Sequence, residues 1–125
     1  MGYTIAEKIL SAHCRKKVKA TDVVVCDIDF CFAQDGTSEL VIDNFSSLKK
    51  KRVFDNTKFA IVIDHSIPSP KQSISNIHQK LRDFSRKQNT LLFDVGCGVC
   101  HQAIPEAGHA LPGNLVVGAD SHTCT

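Results

Sequence analysis

The chain has 125 residues, enough for one domain with a buried core but too few for two domains that each bury a sizeable core. Its 42% hydrophobic and 22% charged residues are typical of a soluble globular protein, and a net charge of +2 indicates no class of partner. It has no apolar run of ~18 residues and no signal-peptide pattern, so we expect no membrane contact, a cytoplasmic location and reduced cysteines. The basic runs at residues 15–17 and 49–52 lack interleaved aromatic residues, so we expect no nucleic-acid partner.

The first part of the chain predicts a helix, a strand and a second, shorter helix. Thr4 and Glu7 have the spacing of a capping box, and the apolar residues after them predict a helix over residues 4–14. Residues 23–33 are apolar and β-branched, interrupted by Asp27 and Asp29, and predict an inner strand whose second half approaches a polar site. Residues 34–37 then predict a loop, after which Ser38 caps a short helix.

The rest of the chain continues the alternation of strands and helices. Residues 59–63 predict a strand, Ser73 begins a strongly amphipathic helix, and residues 90–95 predict another short strand. A stretch that contains Gly and Pro predicts a loop before a last strand over residues 115–119. This order predicts an α/β fold, with helices layered on both faces of a mostly parallel sheet.

Three of the predicted strands end in side chains that bind anions or transfer protons. In open α/β sheets, ligands bind beyond the carboxyl ends of the strands, so we expect these side chains to converge on one site. His13, His78 and His109 have no such setting and are expected to be surface or helix residues. The residues that follow the three strands are Gln34 and Asp35, Asp64 and His65, and Asp120, Ser121 and His122.

The acid–histidine pairs at these strand ends indicate proton transfer. The Asp64 carboxylate can orient the His65 ring and raise its basicity; the alternative is that Asp64 only ends the strand while the two side chains point to opposite faces. Asp120, Ser121 and His122 are too close in sequence for a triad relay. Separate roles suit them better: Ser121 would bind a carboxylate and His122 would donate to a hydroxyl, although a plain helix N-cap is also compatible.

Cys97, Cys100 and His101 form the short motif C-x-x-C-H, which has several readings. A c-type haem would require export, a redox pair would require a following helix in a redox fold, and a zinc site would require a second ligand pair. We favour a loop that places His101 and Gln102 in the site with Cys100 packed behind them. A small metal- or haem-binding module that uses Cys97, Cys100 and His101 stays open as an alternative function.

Taken together, these motifs resemble the N-terminal portion of an aconitase-family large subunit of the 3-isopropylmalate dehydratase type. The resemblance implies an aconitase-type large-subunit fold. It also implies a hydro-lyase that reversibly dehydrates a hydroxy dicarboxylate such as isopropylmalate, in leucine biosynthesis. Homoaconitase and other 2-hydroxyacid dehydratase subunits share the motifs and are the alternatives within the family. The matching residues are 4–10, 34–37, 64–65, 98–102, 112–113 and 117–123.

The resemblance implies a catalytic role for five of these residues. Asp64 and His65 would help to protonate the departing hydroxyl. His101 would hydrogen-bond the substrate or a bound water, with Asp120 supporting its ring. His122 would be a second imidazole that handles protons.

The resemblance also implies substrate contacts, a cofactor and a partner. Gln34 and Ser121 would contact the substrate carboxylates. The cofactor would be a [4Fe-4S] cluster acting as a Lewis acid, but the cysteines of this chain do not match its ligands, so no metal ligand is expected here. A small subunit with the swivel domain would complete the site. Residues 1–125 are therefore expected to be an incomplete N-terminal portion of a large subunit, without cluster or turnover of its own.

A third function is also open. The chain would then be a truncated paralogue that keeps the fold and only occupies a partner.

Overall fold

The computed structural model describes residues 2–124, which form four helices and four strands. No helix in this range is both long enough and apolar enough to cross a membrane. In chain order the elements are α1 Ile5–Cys14, β1 Phe30–Gln34, α2 Asp35–Ser47, β2 Phe59–Val62, α3 Gln72–Gln88, β3 Leu91–Phe93, α4 Cys100–Glu106 and β4 Val116–Ala119.

The four strands form one parallel sheet in the order β3-β2-β1-β4. In the central pair, Phe32 lies opposite Ala60, and on the other side Phe32 lies opposite Gly118. Parallel pairing requires a crossover between successive strands, and helices supply these crossovers here. The predicted α/β fold with a mostly parallel sheet is therefore confirmed.

Helices cover both faces of the sheet because side chains alternate between the two faces along each strand. On one face, Phe32 and Val62 pack with Cys100 and Ile104 of α4. On the other face, the buried core joins the sheet to α2 and α3, and it consists of Ile42, Ile61, Ile63 and Leu81. The layered arrangement expected from the sequence is thus present.

Helix α1 begins as predicted and lies at the side of this core. Thr4 accepts a hydrogen bond from the Glu7 amide, and the Glu7 carboxylate accepts one from the Thr4 amide. None of its residues is buried. The His13 ring at its C-terminal end contacts the Asp29 carboxylate at 2.7 Å, which ties the helix to the start of β1.

The strand predicted over residues 23–33 is shorter than expected and begins only at Phe30. Val23 and Val25 are 95% and 92% exposed. The backbone before β1 bonds to other elements instead of a neighbouring strand: the Asp27 amide donates to the His13 carbonyl, and the Asp29 amide donates to the Leu115 carbonyl. The apolar run alone does not reveal that this stretch has no strand beside it.

Residues 34–37 are not a loop, because α2 begins at Asp35 directly after β1. The Gln34 side chain caps this helix by accepting from the Gly36 amide. Ser38 is not the cap; it lies inside the helix, where its hydroxyl donates to the Gln34 carbonyl at 2.8 Å. A glutamine cap is uncommon, so the sequence favoured the serine.

The expected loop after residue 96 also contains a helix, α4, which was missed. The side chain of the N-cap residue, Val99, makes no hydrogen bond to the first turn of α4. The Cys100 amide donates instead to the Asp64 carboxylate at 2.6 Å, so the cap comes from the end of β2. A cap supplied by a distant element leaves no local signal in the sequence.

Helix α3 confirms the strongly amphipathic helix predicted from Ser73, although it begins one residue earlier, at Gln72. The predicted strands at residues 59–63, 90–95 and 115–119 are also present, each somewhat shorter than expected.

Candidate active site

The carboxyl ends of β1, β2 and β4 meet at one edge of the sheet and bring the predicted polar residues together. Gln34 Nε2 donates to Asp120 Oδ1 at 3.2 Å, although 86 residues separate them in sequence. His65 Nε2 lies 3.4 Å from the same oxygen. His101, from the first turn of α4, lies 3.1 Å from the other oxygen of Asp120. The expected convergence on one place is present in the structure.

Asp120 is the centre of this group. Its side chain is only 4% exposed, and its second oxygen accepts the His122 amide at 2.6 Å. Burial alone would raise the pKa of Asp120. The hydrogen bond from the His122 backbone amide, with the Gln34 side-chain amide and the charges of His101 and His65, outweighs burial and lowers this pKa. Asp120 is therefore a carboxylate near neutral pH, and three imidazole rings lie within 3.6 Å of it.

Asp64 and His65 form a second acid–histidine contact beside it. His65 Nδ1 lies 2.8 Å from Asp64 Oδ1, and the Asp64 side chain is 1% exposed. The hydrogen bond to Asp64 is the main cause that raises the pKa of His65, and the charge of Asp120 adds to it. The ring stays 39% exposed, so it can exchange a proton with a bound molecule near neutral pH.

The His101 ring has one nitrogen directed into the protein. Nε2 is buried at ion-pair distance from Asp120, but it makes no aligned hydrogen bond within the part of the chain that is described. The ring packs edge-on against Phe32, with the ring centres 6.3 Å apart. It also borders a cavity of about 160 Å³ whose other walls include Ile104 and Thr123.

Ser121 and His122 lie at the outer rim of the site. The Ser121 hydroxyl is 3.2 Å from His122 Nδ1, and the His122 side chain is 69% exposed. Both groups can therefore reach a molecule that approaches from solvent. Gln34 differs from them, because it is buried and its amide is already bonded to Gly36 and Asp120. One of its two Nε2 hydrogens has no part in that pairing.

Two residues beside the site were not selected from the sequence. Asp35 was recognised only as a polar strand end, and His78 was assigned to the surface or a helix. His78 does lie on α3, but it is buried, and its Nε2 is 3.1 Å from Asp35 Oδ2. His109 is half-buried rather than on the surface or a helix, and it stacks on Phe30 with ring centres 4.4 Å apart. No signal in the sequence pairs residues 35 and 78.

The described cysteines do not fit a [4Fe-4S] cluster, which is held by thiolates. The described residues contain two groups of three side chains whose possible ligand atoms lie within 4.8 Å of one another inside each group. Only one of these six residues is a cysteine, Cys100. Burial, with the nearby Asp64, raises the pKa of Cys100 to about 12, so it stays a neutral thiol. Cys97 is exposed whereas Cys100 is buried, an arrangement that does not favour the haem or metal module.

Comparison with known proteins places this chain in a family. The model of the aconitase family (aconitate hydratase) matches residues 7–125. The chain is 44% identical to 3-isopropylmalate dehydratase large subunit 1 of Thermotoga maritima, over 100% of this chain and 29% of that protein. It is 44% identical to large subunit 1 of Pyrococcus abyssi and 41% identical to the probable large subunit of Methanothermobacter thermautotrophicus, covering 100% of this chain and 30% of each relative.

The chain spans 29–30% of the length of the curated relatives that it matches. The family model, by contrast, covers nearly the whole chain, and the sheet edge carries the acids and imidazoles on which the resemblance rested. The chain belongs to the aconitase family.

Proposed function

We propose that this chain forms one wall of a hydro-lyase site of the 3-isopropylmalate dehydratase type. The reaction would be the reversible removal of water from a hydroxy dicarboxylate such as isopropylmalate, in leucine biosynthesis. The observation that carries the proposal is the carboxylate of Asp120 among three imidazoles at the ends of parallel strands. The names of the relatives support the same reaction type.

Removing water requires a proton for the departing hydroxyl, and His65 is suited to supply it. Asp64 holds Nδ1, so the Nε2 side of the ring is the side that exchanges a proton. The hydrogen bond to Asp64 raises the pKa of His65 and so favours the protonated ring. In the hydration direction the same ring would take the proton back, so one residue serves both directions.

His101 and His122 would surround the substrate from α4 and from the segment after β4. Asp120 lies against both rings and would hold them in orientation. His101 would hydrogen-bond the substrate or its water, and His122 would be the second group that handles protons. Their positions on different elements support separate roles for them.

The substrate carboxylates would contact Ser121 and Gln34. Ser121 lies exposed at the rim, and the remaining amide hydrogen of Gln34 would serve the inner side of the site. A dicarboxylate also needs stronger positive charge than these groups provide. We therefore propose that further parts of the enzyme complete the pocket.

These further parts would include the cofactor and a partner subunit. Aconitase-family enzymes generally use a [4Fe-4S] cluster, which supplies Lewis-acid chemistry at the substrate hydroxyl. The described cysteines do not fit its ligands, so we propose that the cluster would be held by other parts of the enzyme. The relatives are named large subunits, so we propose a small subunit as partner and residues 1–125 as the N-terminal portion of a large subunit.

A chimera tests the proposal. This chain would replace the matching 29% of the Thermotoga maritima large subunit, which is then produced with its small subunit. We expect the chimera to restore growth of a leucine auxotroph that lacks its own large subunit. We expect His65→Gln to lower turnover of isopropylmalate by about a hundredfold or more, the usual effect of losing a general acid.

The matched control is His13→Gln, which changes another histidine in contact with an aspartate, on α1. It should leave turnover unchanged. A chimera that assembles without turnover would refute the proposal, as would equal activities of the two glutamine variants.

A further inference from the structure

A buried carboxylate lies directly behind the Asp64–His65 pair. Asp35, the first residue of α2, has a side chain that is 1% exposed. Its Oδ1 accepts the amides of Asp64 at 3.3 Å and His65 at 2.8 Å, and its Oδ2 accepts the Ser66 amide at 2.9 Å. One side chain therefore holds three consecutive amides of the segment that leaves β2.

The same carboxylate is also contacted by His78, on the oxygen that accepts the Ser66 amide. Its Nε2 lies 3.1 Å from Asp35 Oδ2, and the ring is 4% exposed. His78 lies on α3 close to Leu81, which is fully buried against the sheet. The ring is therefore positioned by a helix that is itself packed in the core.

These contacts determine the ionisation of Asp35. Burial by itself favours the neutral acid, but the amides of His65 and Ser66 together with the His78 ring overcome it and lower the pKa of Asp35. A charged acceptor makes stronger hydrogen bonds to amides than a neutral one. Asp35 thus stays a carboxylate that grips the backbone at neutral pH.

The gripped segment carries the proton donor of the proposed site. Fixing the amides of residues 64–66 fixes the direction in which the Asp64 and His65 side chains leave the backbone. Asp64 then reaches both the His65 ring at 2.8 Å and the Cys100 amide at 2.6 Å. A rotation of this backbone would break both contacts at once.

We propose that Asp35 and His78 are positioning residues, forming a buried anchor that holds the Asp64–His65 pair in place. The anchor acts through the backbone and touches no substrate. The inference deepens the proposed function, and it depends on that function only for the role of His65.

The chain contains a matched pair at the opposite end of the sheet. Asp29 accepts the Leu115 amide at 2.8 Å and lies 2.7 Å from His13 Nε2. It has the same chemistry as the Asp35–His78 pair but lies at the start of β1, away from Asp64 and His65. Asp29→Asn is therefore the control for a general loss of an aspartate–histidine contact.

Nuclear magnetic resonance of the 125-residue chain tests the anchor without any need for turnover. The variants are Asp35→Asn, His78→Leu and His78→Gln, and the glutamine keeps a donor near the position of Nε2. The measurements are hydrogen exchange of individual amides and the titration of the His65 ring, which faces the carboxylates of Asp64, Asp120 and Asp35.

We expect Asp35→Asn and His78→Leu to speed exchange at the His65 and Ser66 amides by roughly tenfold to a hundredfold, as for loss of a charged hydrogen bond. The pKa of His65 should fall toward the ordinary histidine value, about 6.5. His78→Gln should restore most of both properties. Asp29→Asn should change neither, and the Ala60 and Ile61 amides in β2 should keep their protection.

Two outcomes among the variants would overturn the inference. One is protected His65 and Ser66 amides in Asp35→Asn. The other is equal loss of protection at Ala60 and Ile61, since a general structural role gives that result. If Asp35→Asn does not fold, the test is the difference in exchange of the His65 and Ser66 amides between His78→Leu and His78→Gln. Rapid exchange of the His65 and Ser66 amides in the unmodified chain also refutes the anchor. None of these results depends on isopropylmalate, so failure of the anchor is distinct from failure of the proposed reaction.

Discussion

The carboxylate of Asp64 accepts the backbone amide of Cys100 at 2.6 Å with one oxygen and holds the His65 ring at 2.8 Å with the other. One side chain therefore starts helix α4 and orients an imidazole of the candidate site. The next residue along α4 is His101, so the same carboxylate influences where two of the three clustered rings lie.

Replacement of Asp64 by Asn should change the titration of His65. Asn keeps an acceptor oxygen but not the charge, so the hydrogen bond that is the main cause of the raised pKa is weakened and we expect the pKa of His65 to move down toward about 6.5. The titration is measured by nuclear magnetic resonance, and His13, whose pKa is raised by other contacts, is the internal control. A His65 titration that is unchanged in the variant would contradict this reading of the contact.

The same replacement should change how stability depends on pH. A raised pKa in the folded state means that the contact stabilises the fold below the ordinary pKa of histidine, about 6.5. This contribution is lost as the pH rises through the folded-state pKa of His65. The difference in the free energy of unfolding between the two proteins, measured with urea, should thus shrink with rising pH. A difference that grows would be the opposite of what we expect.

Leu81 should contribute more to stability than any exposed leucine, because it is fully buried between α3 and the sheet. We expect Leu81→Ala to lower the free energy of unfolding by about 2–5 kcal/mol. Leu40→Ala is the matched control, since Leu40 is 66% exposed on α2, and its effect should stay within about 0.5 kcal/mol. Urea unfolding measures both, and similar effects would show that the core does not depend on Leu81.

Gly118 should not tolerate a side chain, although its strand position would accept one in most sheets. An added Cβ would overlap Thr123 Oγ1 and lie 2.7 Å from the Phe32 ring, which packs against His101. We expect Gly118→Ala to destabilise the fold by about 1–3 kcal/mol and to shift the His101 ring resonances. Thermal melts measure the loss of stability. Gly2→Ala is the control, because nothing lies within 4 Å of a Cβ added at Gly2.

The thiols should separate into reactive and protected classes. Cys97 and Cys124 are exposed, whereas Cys100 is buried and its pKa is raised to about 12. With a chromogenic disulfide reagent at neutral pH, Cys97→Ser should remove one equivalent from the rapid phase. Cys100→Ser should leave the rapid phase unchanged, because Cys100 becomes reactive only on unfolding. Rapid modification of Cys100 would mean that its surroundings open readily.

The gathering of the site was predictable from the sequence because parallel strands share a carboxyl edge. Gln34, His65 and Asp120 each follow an apolar run, so placing the strands also placed these side chains. The identity of the strands came from local patterns, and so did the capping box of α1. Local patterns were sufficient wherever the structure depends on neighbours in sequence.

The sequence-based predictions that were wrong or missing concern features that depend on residues distant in sequence. Helix α4 depends on Asp64 for its first turn, and the start of β1 depends on hydrogen bonds to His13 and Leu115. The role of Asp35 depends on amides about 30 residues away and on a ring 43 residues away. A carboxylate that binds backbone amides leaves no pattern at the residues it binds, so only coordinates reveal it.

The hydrogen bond between Gln34 and Asp120 joins residues 86 positions apart, which has a consequence for folding. Such a long loop closes only when β4 docks beside β1, and β4 is the last strand within residues 2–124. The imidazoles meet their shared carboxylate at that same moment. A folding intermediate that contains only β1, β2 and β3 would have most of its sheet and nothing for His65 and His101 to gather around.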